Sequence, residues 1–398
     1  MQRGSRKTKT PGTLLALVVA LAAALAAPAA ADARARGAGS NPLDGTAMWI
    51  WQAPLSSGGN PVRIGAVARA YRVRTVFLKS SDGTSMWRQF TPAFVFALKA
   101  QGLKVCAWQY VYGRQPEAEA ALGVRAVQLG ADCLIIDAEA EYEGRYAQAD
   151  RYIRTLRQAI GASYPVAVSP FPYVDYHPAF PYSVFLGPNG AQYNLPQMYW
   201  RAIGTTVDQV FAHTYTYNRL YGRRIYPLGQ LYQNPSPTQI RRFRALAAAY
   251  GAAGVNWWDW QAARTRGWQA LRAPLTTKAS APALGYPVLR GGSRGDLVVW
   301  AQQHLASAGY SVDVDGVYGA ATVNAVSAFQ AAKGIPVTGK IGDVTWPALL
   351  RYSPAPVAWS QSRRGRAARR GTAGSPAPAS ARLPAVAREI PPKRHGPG

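Results

Sequence analysis

Cys133-Leu-Ile-Ile-Asp-Ala-Glu-Ala-Glu-Tyr-Glu-Gly144 opens as an apolar run of strand length and closes as a row of carboxylates. A strand sends residues i, i+2 and i+4 to one face. Asp137, Glu139 and Glu141 therefore share a face if the strand continues through them. Crowded like charges raise one another's pKa, which is how a carboxyl stays protonated as a general acid near neutral pH. The same stretch also reads as a strand that ends in a solvated acidic loop. Scarcity separates the two readings: the chain has 19 acidic residues against 45 basic ones, yet Asp137, Glu139, Glu141 and Glu143 all fall here.

On either side of this stretch, strand-like and helix-like patterns alternate. Strands are expected at 47–52, 74–79, 104–110, 133–137, 164–169, 195–200, 225–229 and 254–260. Between them, Ala-rich amphipathic segments are expected to be helical at 62–71, 92–101, 117–129, 146–160, 207–221 and 238–250, with a closing helix near Trp268. The Pro- and aromatic-rich segment 170–190 reads as a long loop. Such an alternation over about 225 residues predicts an α/β fold, a (β/α)8 TIM-like barrel over residues 46–273. An open doubly wound sheet would show a Gly-rich phosphate turn after its first strand, and Gly58-Gly-Asn60 does not fit that pattern.

In such barrels the chemistry sits at the carboxyl ends of the strands. Gln52, Lys79, Gln109, Tyr110, Asp137, Glu139, Tyr199, Trp200, Gln230, Trp258 and Asp259 stand there. Flat rings stack on sugars, while amides and carboxylates hydrogen-bond hydroxyls, so the set reads as a carbohydrate cleft. Asp137-Ala-Glu139 resembles the acid-bearing strand of (β/α)8 glycoside hydrolases that cut N-acetylated sugars, the lysozyme-type muramidases and the chitinases. The resemblance implies Glu139 as proton donor and Asp137 as the group that stabilises positive charge or orients an acetamido group. It also makes Tyr199 and the pair Trp257 and Trp258 look like sugar-floor aromatics. Asp259 is a candidate second carboxylate; Gln52, Gln109 and Trp200 are candidate substrate contacts. The first strand carries Trp49-Ile-Trp-Gln52 where the muramidases place an Asp.

Residues 274–285 read as a low-complexity linker. The stretch 286–350 then carries Leu289-Arg-Gly-Gly-Ser-Arg-Gly-Asp-Leu-Val-Val299, Val314-Asp-Gly-Val-Tyr-Gly319, Thr322-Val-Asn-Ala-Val-Ser-Ala-Phe-Gln330 and Gly334-Ile-Pro-Val-Thr-Gly339. These landmarks resemble the small three-helix peptidoglycan-binding domain of bacterial wall hydrolases. Tyr318 and Gln330 are the candidate groove contacts. Residues 351–398 are Pro, Ala, Ser and Arg, and a disordered basic tail is expected there.

The formal net charge of +26 points to polyanionic partners. Arg spread over loops and tails, with no nucleic-acid module, argues against nucleic acid and for anionic wall polymer. Residues 1–31 read as a secretory signal: a basic start, an apolar run from Thr13 to Ala27, and small residues for cleavage. Cys106 and Cys133 fall on neighbouring expected strands, where buried free thiols are the expectation and a bridge the alternative. Two cysteines and four scattered histidines make no metal cluster, and two carboxylates suffice for glycoside hydrolysis, so no cofactor is expected. Together these features predict an exported, wall-associated, monomeric glycosidase-like protein whose partner is peptidoglycan or a related glycan. The rival is a non-catalytic binder built on a degenerate barrel.

Overall fold

The computed structural model describes residues 1–2, 41–276 and 278–359; the expected signal segment and the tail beyond Trp359 lie outside the described residues. Parallel strands β1 (Gly45–Ile50), β2 (Val73–Asp82), β3 (Lys104–Val111), β4 (Leu134–Ala138), β5 (Val166–Ser169) and β6 (Tyr193–Asn194) each pair with the next. β8 (Gly254–Trp258) pairs with β1. Between β6 and β8 lies β7, in two pieces. Arg224–Ile225 pairs with β6 and Leu228–Gln230 pairs with β8. The break falls at Pro227, which has no N–H for the ladder. Leu228 also bridges Gln197, just beyond β6. The sheet thus returns on itself as an eight-stranded barrel.

Helices α1 (Pro61–Ala70), α2 (Pro92–Lys99), α3 (Pro116–Gln128), α4 (Tyr146–Ile160), α5 (Val207–Asn218), α6 (Pro237–Ala249) and α7 (Thr265–Arg272) cover the sheet. Four of them open with proline, whose fixed φ suits the first turn. Thr206 with Gln209 and Ser236 with Gln239 form capping boxes. After β5 the crossover is a loop with a single helical turn, Tyr182–Phe185, as the Pro-rich composition of 170–190 leads one to expect.

The period-two alternation divides the side chains into two cores. Ala47, Trp49, Phe77, Cys106, Trp108, Cys133, Ile135 and Leu228 fill the barrel interior. Met48, Ile50, Val76, Leu78, Val105 and Ile136 face the helices. Cys106 and Cys133 are both interior, on β3 and just before β4, with Cα atoms 4.5 Å apart, and they form a disulfide. This corrects the expectation of free thiols. Pairing in register, on the same face, brings the two within the spacing a bridge requires.

The same alternation corrects Gln109. Trp108 and Tyr110 take the interior positions, so Gln109 faces α3 and donates to the Glu119 carbonyl at 3.0 Å. Trp200 is corrected for another reason. Strand β6 stops before Pro196, and Trp200 starts a helical turn instead, fully buried and 5.3 Å from Phe243.

The C-terminal helices are α8 (Asp296–Ser307), α9 (Ala320–Ala332) and α10 (Thr345–Leu349). Here the structure shows a repeat. Gln302 on α8 accepts the N–H groups of Asp315 and Gly316 and donates to Thr322 Oγ1. Gln330 on α9 accepts those of Thr338 and Gly339 and donates to Thr345 Oγ1. In each unit a buried glutamine clamps the following loop, a glycine at positive φ turns it (Gly316 at 73°, Gly339 at 64°), and a threonine stands in the first turn of the next helix. Gln330 is therefore a structural clamp and no groove contact. Tyr318 is likewise buried, its hydroxyl donating to the Gly339 carbonyl at 2.9 Å. Past α10 the described tail is docked rather than free: Ala355 N–H donates to the Gln303 carbonyl at 3.0 Å.

Replacing both cysteines with alanine should lower unfolding free energy by about 2–4 kcal/mol, since the bridge restrains the unfolded chain. Urea unfolding with and without reductant checks this. Reductant should shift the wild type towards the variant and leave the variant unmoved.

Candidate active site

The carboxyl ends of the strands form the open mouth of the barrel. Asp137 is the last inward-facing residue of β4 and is buried, while Glu139, just beyond the strand, is half-exposed. The row of acids then divides. A 3-10 turn over Ala140–Tyr142 ends the alternation, so Glu141 does not continue the row of Asp137 and Glu139 and instead accepts the Tyr110 hydroxyl at 2.7 Å. Glu143 lies against His177 at 2.8 Å.

Gln197 ties Asp137 to Glu139. Its amide nitrogen lies 3.2 Å from Asp137 Oδ1, 3.1 Å from Glu139 Oε1 and 3.3 Å from the Ser169 carbonyl. One donor thus spans the ends of β4, β5 and β6. Sequence reasoning missed it because Gln197 sits between Pro196 and Met198 in what reads as a strand interior. Its position, two residues before Tyr199 and hence on the same expected face, was the available signal.

Tyr199 is buried, edge-on to Tyr232 at 5.5 Å. Burial, then Tyr232, Asp137, Glu139 and Asp259, push its hydroxyl well above the ordinary range, so it stays a neutral donor. Asp259 follows β8 across a cis peptide from Trp258. Burial pushes its carboxyl up to about 7, against the Ala262 N–H that favours the charged form.

The floor of the mouth is indole. Trp49 lies 5.1 Å from Trp108 and 5.5 Å from Trp258, and Trp51 stacks over Trp258 at 6.4 Å. Trp257 is not part of it. As Trp258 faces inward, Trp257 faces outward onto Phe243 at 5.1 Å. Gln52 lies at the rim, its backbone N–H held by Gln261 Oε1 at 3.0 Å.

A second polar cluster borders the floor on the β2 and β3 side. Lys79 is buried, 2.6 Å from Asp82 Oδ2 and 4.4 Å above the Trp108 ring. Asp82 also accepts the Tyr112 hydroxyl at 2.8 Å. Burial first, then Glu139 and Glu141, push the Tyr110 hydroxyl up as well. The mouth therefore offers two carboxylates on one amide, a carboxyl poised near neutrality, neutral phenols and a flat aromatic base.

Residues 294–349 match the family model of a peptidoglycan binding domain. A peptidoglycan-binding protein from Clostridioides difficile shares 42% identity over 16% of this chain and 41% of its own, with a TM-score of 0.16. This chain thus spans less than half of that protein's length. A chitinase from Chromobacterium violaceum aligns over 59% of this chain and 100% of its own at 12% identity and a TM-score of 0.44. The spore cortex-lytic enzyme of Bacillus cereus aligns over 58% and 74% at 11% identity and a TM-score of 0.44. No curated protein matches the chain.

Two outcomes follow from the site's electrostatics. Asp259 titrates near 3.8 when unfolded and near 7 when folded. Between these values the native state holds a proton that the unfolded chain has lost, so stability falls as pH rises through that window. Relative to Asp259→Asn, the wild type should lose stability from about pH 4 to pH 7, measured as urea midpoints across pH. Lys79→Met should cost about 1–3 kcal/mol by leaving Asp82 with the Tyr112 hydroxyl and no cation. The double variant Lys79→Met/Asp82→Asn should cost less than Lys79→Met alone, and a double-mutant cycle reads the difference.

Proposed function

We propose that the chain is an exported cell-wall glycoside hydrolase that cleaves a β-linked glycan of N-acetylated sugars, peptidoglycan first among them. The observation that carries this reading is the Asp137–Gln197–Glu139 bridge over an indole floor, in one chain with a domain that matches a peptidoglycan-binding family. Glu139 reaches solvent and is the proton donor to the leaving oxygen. Asp137, buried behind it, steers the substrate's acetamido group. Tyr199 and Asp259 donate hydrogen bonds to the sugar, and Trp258 stacks beneath it.

In this scheme the acetamido oxygen attacks the anomeric carbon as Glu139 gives its proton to the departing glycosidic oxygen. The resulting carboxylate then takes a proton from water, which opens the cyclic intermediate and restores the acid. The substrate supplies its own nucleophile, so the first strand can carry Trp49 and Trp51 where other enzymes carry an Asp. The Cys106–Cys133 bridge suits an oxidising compartment. The basic run from Arg363 to Arg370 would add salt-sensitive adhesion to anionic wall polymer.

Glu139→Gln keeps the shape and removes the proton. Turnover of purified sacculi or chitin oligomers should fall at least about a hundredfold while binding persists. Mass analysis of released fragments checks this. A wild-type protein that binds both glycans and releases no fragment from either would favour the non-catalytic binder.

A further inference from the structure

Helix α8 is buried along its length from Asp296 to Leu305, and the barrel supplies part of that cover. The Asp296 carboxylate accepts the N–H and hydroxyl of Ser183 at 2.9 and 2.6 Å and the Tyr221 hydroxyl at 2.7 Å. The Tyr146 hydroxyl is a further partner. Each of these donors belongs to the barrel: the loop after β5, the turn after α5 and the start of α4. The Asp296 N–H returns a bond to the Pro178 carbonyl at 2.7 Å. One turn on, the Trp300 indole donates to the Leu220 carbonyl at 2.8 Å, and its ring lies 5.2 Å from Tyr221. A Cβ added to Gly295 would stand 2.6 Å from the Pro178 side chain, so the two backbones meet with no room for a side chain. Beyond α10, the Trp359 ring lies 4.7 Å from Tyr146 and extends the same seam.

A buried carboxylate is tolerated only when its lone pairs are filled. Here hydroxyl and amide donors fill them, and they hold its pKa down against a burial that still raises it to about 6. Two bodies sliding on a loose tether would strip Asp296 of these donors while leaving it dry. A fully satisfied buried network selects one arrangement of the parts that supply it.

We infer that Asp296 is a positioning residue that welds the helical domain to the barrel, so that wall polymer held by the one meets the cleft of the other at a single fixed offset. The weld stands on contacts alone; its use in wall cleavage rests on the function proposed above.

The test uses the full chain with a specific protease site placed within residues 274–285. After cleavage, the wild-type halves should co-elute on size exclusion at micromolar concentration. Ser183→Ala/Tyr221→Phe alters only the barrel side, and should weaken that association at least about a hundredfold, for two lost hydrogen bonds to a charged group. Near-UV circular dichroism reports whether this variant is folded. Trp300→Phe, which keeps the ring and removes the indole donor, is the second variant, with about a tenfold loss expected. Wild-type halves that separate, or variants that associate as tightly as wild type, would overturn the weld. In the uncut chain, the double variant should lose about tenfold on insoluble sacculi and nothing on soluble oligosaccharides, since the positioning matters only for polymer held by the helical domain. Equal loss on both would overturn the positioning role. A wild type without turnover on either substrate would overturn the function reading, and co-elution would still report the weld.

Discussion

The closing of the sheet through β7 is the constraint on which the site depends. On either side of Pro227, Arg224–Ile225 pairs with β6 and Leu228–Gln230 with β8, and Leu228 also reaches Gln197 beyond β6, so the strand joins both neighbours. With the ring closed, the ends of β4, β6 and β8 converge. Asp137, Gln197 and Asp259 then stand around one mouth although 60 residues separate the first two. An open sheet would leave β6 and β8 at opposite edges.

Within that mouth, burial rather than charge count sets the chemistry. The chain is strongly basic, yet the cleft gathers Asp82, Asp137, Glu139, Glu141 and Asp259. Carboxylates this crowded need donors or protons. Gln197 supplies the donor to Asp137 and Glu139, Tyr110 to Glu141, and Lys79 with Tyr112 to Asp82. Asp259 accepts the Ala262 N–H, but burial outweighs that bond and draws it towards the protonated form. The indoles beneath exclude water and strengthen each of these interactions.

The helical domain applies the same rule twice. Gln302 and Gln330 each satisfy a glycine loop from within, at equivalent points of two similar turns. Asp296 does so across the junction with the barrel. Buried polar side chains here define geometry that apolar packing alone leaves loose.

By itself, the sequence determined the alternation of strands and helices, the loop at 170–190, the approximate strand ends apart from the sixth, which was expected at 195–200 and lies at Tyr193–Asn194, and the acidic pair Asp137 and Glu139. Local patterns carry these: hydrophobic period, helix caps and the clustering of scarce acids. It also carried the landmarks of the C-terminal domain. Other features were decided only by the tertiary structure, because they turn on which face a residue takes and what stands opposite. Gln109 and Trp257 face outward because their neighbours took the inner positions. Trp200 left the cleft because Pro196 ended a strand early. Tyr318 and Gln330 turned inward to clamp loops. Gln197 became the bridge because the chain just beyond β6 reaches past the end of β5 to that of β4, and Cys106 met Cys133 because two strands pair in register. A chain's local pattern sets which elements form; partners far apart in sequence meet only once the barrel closes.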